Sequence, residues 1–271
     1  MSEQAYIKVP FTLAEVPHHY GPEVHLLADP AAWSLLAERG RPETEQPRFG
    51  LLLTRIYLVL LYAAINRELP RAQVRIPTRM QAKHPGACYQ GEIIDQEQSV
   101  VVVDLARAGM APSEICFQEL CWLMKPARIR QDHIMISRQL DQAGQVTGAG
   151  MHSVKIGGPV EGRWLFLPDP MGATGSTMVT VLDHYRDRVG GRPRGIIALH
   201  LVVTPEYLAA MRRAYPEVHI YALRLDRGLS APDVLETPLG SRWAEEKGLD
   251  EHHYIVPGAG GIGEVANNAY V

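Results

Sequence analysis

The chain has 271 residues, 46% of them hydrophobic and 21% charged, and a net charge of −3. That is ample material for one or two packed domains of a soluble globular protein. The slight acidic balance excludes a general nucleic-acid binder, whose domain would show a basic excess, but it allows a local basic pocket for a small phosphorylated molecule.

Residues 1–22 are polar, contain Pro10, Pro17 and Pro22 and show no period, so they are expected to form an N-terminal extension, a mobile arm. The start lacks a basic region followed by an apolar core, and no signal peptide is expected. His18-His19 has no third ligand nearby in sequence and is not read as a metal site. Val24 to Leu27 predicts a short strand and Pro30 to Arg39 a helix, followed by a charged connection from Gly40 to Gln46. Leu51 to Ile65 is the most apolar stretch, too short for a comfortable membrane span and interrupted by Arg55. A helix apolar on most faces is buried in a core or a subunit interface, which favours a homodimer or higher homo-oligomer and no membrane partner. Residues 70–98 alternate over short pieces such as Val74-Arg75-Ile76 and predict small strands or a projecting hairpin.

From residue 99 the pattern becomes one of alternating strands and helices. Val100 to Leu105 is an apolar run broken only by Asp104, hence a buried parallel strand ending in Ala106-Arg107-Ala108-Gly109. Pro112 to Met124 predicts a helix with Ile115, Leu120, Leu123 and Met124 on its apolar side. Cys116 and Cys121 lie in this helix and Cys88 precedes it; with no CxxC pair they read as thiols in a reducing, cytoplasmic compartment. Asp132 to Ser137 predicts a strand ending at Arg138. Residues 139–160 are rich in Gly, Gln and Thr, a long segment expected to be a functional flap. Arg163 to Pro168, Gly195 to Val203 and Val218 to Leu223 predict further strands, and Thr204 is placed to cap a helix from Pro205 to Tyr215. Trp122, Trp164 and Trp243 read as core or interface residues. After residue 224 the alternation stops; a helix turn is expected at Trp243 to Lys247, and the tail Tyr254-Ile-Val-Pro-Gly-Ala-Gly-Gly-Ile-Gly-Glu264 is Gly-rich with no clear helix after it. Repeated βα units predict an α/β fold, a parallel twisted sheet with helices on both faces, and a ligand beyond the strand carboxyl ends. Arg107, Arg138 and Asp169 all fall at such ends.

The stretch around which these units are organised is Leu165-Phe-Leu-Pro-Asp-Pro-Met-Gly-Ala-Thr-Gly-Ser-Thr177. A buried strand breaks at Asp169-Pro170, small hydroxylated residues follow, and Met178, Val181, Leu182, Tyr185 and Val189 then show helical spacing up to Gly190-Gly191. Strand, small-residue loop and helix is a layout that holds a phosphate on backbone amides and a helix dipole; an ordinary strand-to-helix turn has the same outline.

Asp169 to Thr177 resembles the phosphoribosyl-pyrophosphate loop of type I phosphoribosyltransferases, in the form used by the uracil phosphoribosyltransferase family. The family's usual Asp-Pro-Met-Leu-Ala-Thr-Gly-Gly-Ser differs at Gly172, Ser176 and Thr177, and the Thr-Gly-x-Thr ending is common among type I relatives. Arg107-Ala-Gly and Ser137-Arg138 resemble two more of its motifs, and Tyr254-Ile-Val-Pro-Gly258 its base-holding hood; the four lie in the family's order. The resemblance implies a single type I domain over residues 23–271, with the flap at about 139–160 and the hood at about 224–271. It also implies transfer of phosphoribosyl from 5-phosphoribosyl 1-pyrophosphate (PRPP) to uracil, giving UMP and pyrophosphate, with Mg²⁺ as cofactor and PRPP and a nucleobase as partners. Asp169, Arg107 and Arg138 would be catalytic. PRPP would bind Arg107, Arg138, Asp169, Pro170, Met171, Gly172, Ala173, Thr174, Gly175, Ser176 and Thr177. The base would bind Ile255, Gly260, Gly261 and Ile262, and Mg²⁺ would be held through PRPP and Asp169 rather than by a dedicated ligand set. The hood departs from the family pattern: Gly261 stands where an aspartate is usual, Ile262 where Ala or Phe is, and Glu264 where a second aspartate is. The flap departs as well, with Arg138-Gln-Leu-Asp-Gln142 for an acidic run and His152-Ser153 for paired aromatics. A transferase for another base and a non-catalytic nucleotide-binding regulator therefore stay open. A dehydrogenase is not supported, because no GxGxxG follows the first strand, nor a serine hydrolase, because no GxSxG is present. His200, His219, His252 and His253 show no zinc-like spacing.

Overall fold

The computed structural model describes residue 6, residues 9–140 and residues 146–269, with the backbone alone at 137–140 and 146–149. Strands β1 (Val24–Leu26), β4 (Val100–Ala106), β5 (Ile129–Leu140), β6 (Val146–Lys155), β7 (Trp164–Pro168), β8 (Met171–Gly172), β9 (Gly195–Val203) and β10 (His219–Leu225) form one eight-stranded sheet. Its order is β1-β10-β9-β7-β4-β5-β6, with β8 pairing alongside β9. Every pairing is parallel except β5–β6. Strands β2 (Arg71–Pro77) and β3 (Cys88–Ile94) pair separately as the antiparallel hairpin expected in 70–98.

Successive strand residues face opposite sides, so β4 feeds two cores. Val100 and Val102 pack with α1 (Pro30–Arg39), α2 (Arg48–Glu68) and α3 (Met110–Leu123). Val101, Val103 and Leu105 pack on the other face with α4 (Ser176–His184) and α5 (Pro205–Ala214). Asp29 caps α1 through its Oδ1 to the Ala32 amide, and Thr204 caps α5 through Oγ1 to the Tyr207 amide, each with proline at the first helical position. Helix α2 is long and apolar enough to cross a membrane, yet it buries ten side chains, among them Leu53, Ile56, Leu60 and Leu61, in the chain's own core.

Several expectations change. From Glu15 onward the N-terminal segment is no arm: Glu15 bridges Leu27, His18 bridges Leu239, and Tyr20 is fully buried with its hydroxyl on Glu246. Its prolines hid a segment that pairs by isolated bridges rather than in a periodic strand. The flap is not a loop, because residues 146–155 pair antiparallel with an extended β5; residues 141–145 lie outside the described residues. Small residues such as Gly148 and Gly150 mask the alternation that would announce a strand. In α3 the expected apolar side holds, with Leu120 and Met124 buried and Ile115 and Leu123 packed against the same core, but Trp122 is 85% exposed rather than a core residue. A short α7 (Ile262–Asn267) follows the Gly-rich tail, where no helix was expected. Six residues without a side-chain cap carry too little period to be read.

Candidate active site

The chain runs β4-α3-β5 in one direction across the sheet and β7-α4-β9-α5-β10 in the other, so strand order reverses between β4 and β7. A crevice opens there beyond the carboxyl ends. Arg107 follows β4 and Asp169 follows β7, and both line a cavity of about 910 Å³. The Ala106–Arg107 peptide is cis. The Arg107 Nη1 donates to the Ala269 carbonyl at 3.1 Å, its Nη2 lies 3.6 Å from Glu264 Oε1, and its side chain is 36% exposed. Arg138 lies on β5 opposite Ala149, and its side chain is outside the described residues. Met135, Ile136 and His152, from the β5–β6 hairpin, line the same cavity.

Beyond Asp169 the chain is gripped on both sides. The Pro170 carbonyl accepts from the Leu201 and Val202 amides, and Met171-Gly172 pair with Val202-Val203. Pro170 and Gly172 are buried and face neither cavity, so their part is to set the loop's path. Gly175 has φ 82° as it enters α4, and a Cβ there would come within 2.9 Å of the Ala210 Cβ, so glycine is required. Asp169, Met171, Ala173, Thr174, Gly175, Ser176 and Thr177 line a second, small cavity of about 70 Å³ at the N-terminus of α4. The first turn of a helix presents amides without intrahelical partners, and Thr174 Oγ1 and Ser176 Oγ stand 2.9 Å apart beside them. Such an arrangement suits a phosphate-sized anion.

Sequence reasoning missed the groups that hold this cradle from behind. His200, fully buried on β9, donates from Nδ1 to the Asp169 carbonyl at 2.5 Å and accepts at Nε2 from the Tyr207 hydroxyl at 2.6 Å. Burial pushes His200 down to about 4, against a smaller opposing effect of the Asp169 carbonyl, so the ring is neutral. Burial raises Tyr207 well above the usual phenol range, and the nearby Asp169 charge adds to it. Thr204 Oγ1 also donates to the Ala173 carbonyl at 2.6 Å. The only signal was a histidine inside the apolar run 195–203.

The hood closes the other side. Asp226, buried after β10, accepts from the Gly258 amide at 2.8 Å, and the Gly228 amide donates to the Val256 carbonyl at 3.0 Å. Ile255, Gly260, Gly261 and Ile262 all line the large cavity, as grouped from sequence, though Ile262 is 2% exposed and packs into the α1–α3 core. A Cβ at Gly261 would collide with the Glu264 carboxylate, which therefore fills the space of a side chain at 261. His253, dismissed from its spacing, has φ 61° and lines both cavities.

A profile of the family described as "Uracil phosphoribosyltransferase" matches residues 26–241. A protein of Variovorax paradoxus named uracil phosphoribosyltransferase is 25% identical over 241 residues, covering 89% of this chain and 96% of its own. One of the same name from Lactococcus lactis is 28% identical over 224 residues, covering 83% and 88%. Among solved structures, the AQ2163 protein of Aquifex aeolicus superposes with a TM-score of 0.68 at 18% identity, over 92% of this chain and 99% of that one, a likeness of fold.

Proposed function

The chain belongs to the uracil phosphoribosyltransferase family, and from that premise we propose that it is a cytoplasmic enzyme that transfers phosphoribosyl from PRPP to uracil. The observation that carries the reading is the pairing of a phosphate-sized cradle at the α4 N-terminus with a larger cavity rimmed by Arg107. The two subsites suit the 5′-phosphate and the pyrophosphate-plus-base ends of one substrate pair.

In this reading a uracil ring nitrogen bonds to ribose C1 as the C1–O bond to pyrophosphate breaks, and the nitrogen's proton is released. The transition state has oxocarbenium character, as in glycoside cleavage. Arg107, with Arg138 as a second guanidinium, neutralises the leaving group; a planar, always-charged fork suits pyrophosphate oxygens. Thr174, Ser176 and Thr177 hold the 5′-phosphate with the loop amides, and Asp169 holds the ribose hydroxyls. Mg²⁺ prefers phosphate oxygens, waters and few carboxylates, and Asp169 and Glu264, the carboxylates lining the cavity among the described residues, fit that demand. Mg²⁺ would supply further charge neutralisation on the pyrophosphate. The β5–β6 hairpin excludes water, and Ile255, Gly260 and Gly261 offer backbone groups to the base. A second reading, the same transfer to a different heterocycle, is favoured by Ile262, which turns into the core and leaves a base pocket walled largely by glycine backbone.

The test is incubation with PRPP, Mg²⁺ and a panel of pyrimidine and purine bases, reading pyrophosphate and nucleotide. Uracil-dependent pyrophosphate release with UMP formation is expected. Turnover with another base alone moves the assignment to that base. PRPP binding without turnover overturns the enzymatic reading.

A further inference from the structure

Far from this crevice, three side chains distant in sequence converge on one point. His25 of β1 pairs in register with Tyr221 of β10, and His219 lies two residues before Tyr221, so all three face the same side of the sheet. The last turn of α2 brings Glu68 onto them. Glu68 Oε1 is 3.3 Å from His219 Nδ1 and 3.9 Å from His25 Nε2, and the three ligand atoms lie within 4.8 Å of one another. A Zn²⁺ ion with arms of ~2.0–2.1 Å spaces tetrahedral ligands by about 3.4 Å, close to these separations.

The hydrogen-bond ledger is what singles the cluster out. His25 is 1% exposed, and its Nδ1 is 2.7 Å from Glu15 Oε1, so Nδ1 carries the proton. Its Nε2 is then a lone pair facing a carboxylate, with no hydrogen-bond partner, and His219 Nδ1 is buried and unpartnered in the same way. Glu68 Oε1 already accepts from the Tyr221 hydroxyl at 2.5 Å. Both ring nitrogens thus face the Glu68 carboxylate, and the His25 lone pair meets it with no proton between them, an arrangement a cation resolves. Arg67 is the opposing charge: its Nη1 is 3.3 Å from Glu15 Oε2 and its Nε is 3.9 Å from Glu68 Oε1. Its side chain is 41% exposed, and its nearer partner is Glu15 rather than Glu68.

We infer that His25, Glu68 and His219 form a binding site for a nitrogen-preferring divalent transition metal, Zn²⁺ by class, separate from the proposed reaction centre. Two imidazoles and one carboxylate suit Zn²⁺ and disfavour Mg²⁺ or Ca²⁺, which take oxygen ligands. Glu15 on the far nitrogen of His25 and Tyr221 on Glu68 are the outer partners that orient such ligands. An open cavity of about 460 Å³ lined by Glu15, His18, His19, His25 and Arg67 adjoins the cluster on the Glu15 side. The site lies at the amino end of β10, whereas Asp226, just past its carboxyl end, holds the hood. The ion would tie the N-terminal segment, β1, the end of α2 and β10 together, and so act on stability rather than on turnover.

The test is calorimetric titration with ZnCl₂ and thermal melting with and without Zn²⁺, on the wild type, His219→Ala, Glu68→Gln and the control His252→Ala, whose side chain is 73% exposed. The wild type and the control should bind one equivalent and melt higher with Zn²⁺. His219→Ala and Glu68→Gln should bind at least about tenfold more weakly and lose the shift, with circular dichroism unchanged. Co²⁺ should give tetrahedral d–d absorption in the wild type and none in Glu68→Gln. Absence of stoichiometric Zn²⁺ binding in the wild type, or binding and melting shifts retained in both ligand variants, overturns the site.

Discussion

Glu264 Oε1 stands 3.6 Å from Arg107 Nη2, and the same carboxylate occupies the volume a side chain on Gly261 would need. A hood that lacks the family's aspartate at 261 thus carries a carboxylate at nearly that place, borne three residues later. If that group steadies Mg²⁺ on pyrophosphate, Glu264→Ala should raise the Mg²⁺ concentration for half-maximal activity at least about tenfold. Gly261→Asp added to Glu264→Ala should recover part of the loss. An unchanged Mg²⁺ dependence in Glu264→Ala would make the carboxylate a spectator.

Arg107 contacts only the Ala269 carbonyl and Glu264 among the described residues, and a third of its surface faces the cavity and solvent. Arg107→Ala should cut kcat/KM by roughly 10²-fold or more, as losing a charge-stabilising donor does. The melting temperature should stay close to wild type. Wild-type turnover in this variant would make Arg107 structural.

Gly172 stands where the family usually has leucine. A Cβ there would lie 2.9 Å from Val203 Cγ1 and 3.0 Å from Tyr207 Cγ. The tyrosine ring has taken the room, and its hydroxyl holds His200 beneath the phosphate loop. Gly172→Leu should therefore destabilise by about 1–3 kcal/mol through overpacking. Gly172→Leu with Tyr207→Ala should lose less than the sum of the two single changes, measured by urea unfolding.

His200 should make stability fall in mild acid. An unfolded imidazole titrates near 6.5, whereas burial holds this one down to about 4. Between those values the unfolded chain binds a proton that the fold refuses. The contribution is therefore complete above about pH 6.5 and is lost as pH falls towards 4, at up to ~1.4 kcal/mol per pH unit. His25 and His18, also lowered chiefly by burial, add to the same trend. His200→Gln should flatten the slope, read from denaturant midpoints at pH 7, 5.5 and 4.5; an unchanged slope would locate the effect elsewhere.

Arg39 is 1% exposed at the end of α1, and its three guanidinium nitrogens have no hydrogen-bond partner among the described residues. Its charge rests on the Phe49 ring, 5.0 Å away, and burial lowers its pKa to about 10. In so buried a place the ring contact and the helix terminus each return on the order of 2 kcal/mol, which offsets only part of the several kcal/mol that an unpaired buried charge costs. Arg39→Met should raise stability by roughly 1–3 kcal/mol in urea unfolding. A lower midpoint would show that the guanidinium has a partner in the working protein.

The local code of this chain was strong enough to be read directly. Pro30 to Arg39, Gly195 to Val203 and the Thr204-capped helix needed only apolar runs, proline and a capping hydroxyl, interactions between residues a few positions apart. The strand, loop and helix outline of Asp169 to Thr177 was legible for the same reason, because it is built from consecutive residues. What lay across the sheet was not legible. Glu264 meets Arg107 only once the tail has folded back, and His200 with Tyr207 lies beneath Asp169 only once β9 lies beside β7. His25, Glu68 and His219 are 43 and 151 residues apart in sequence, and no periodicity carries that information. Strand register and helix docking bring such groups together, because burial is a property of the packed whole rather than of any single segment.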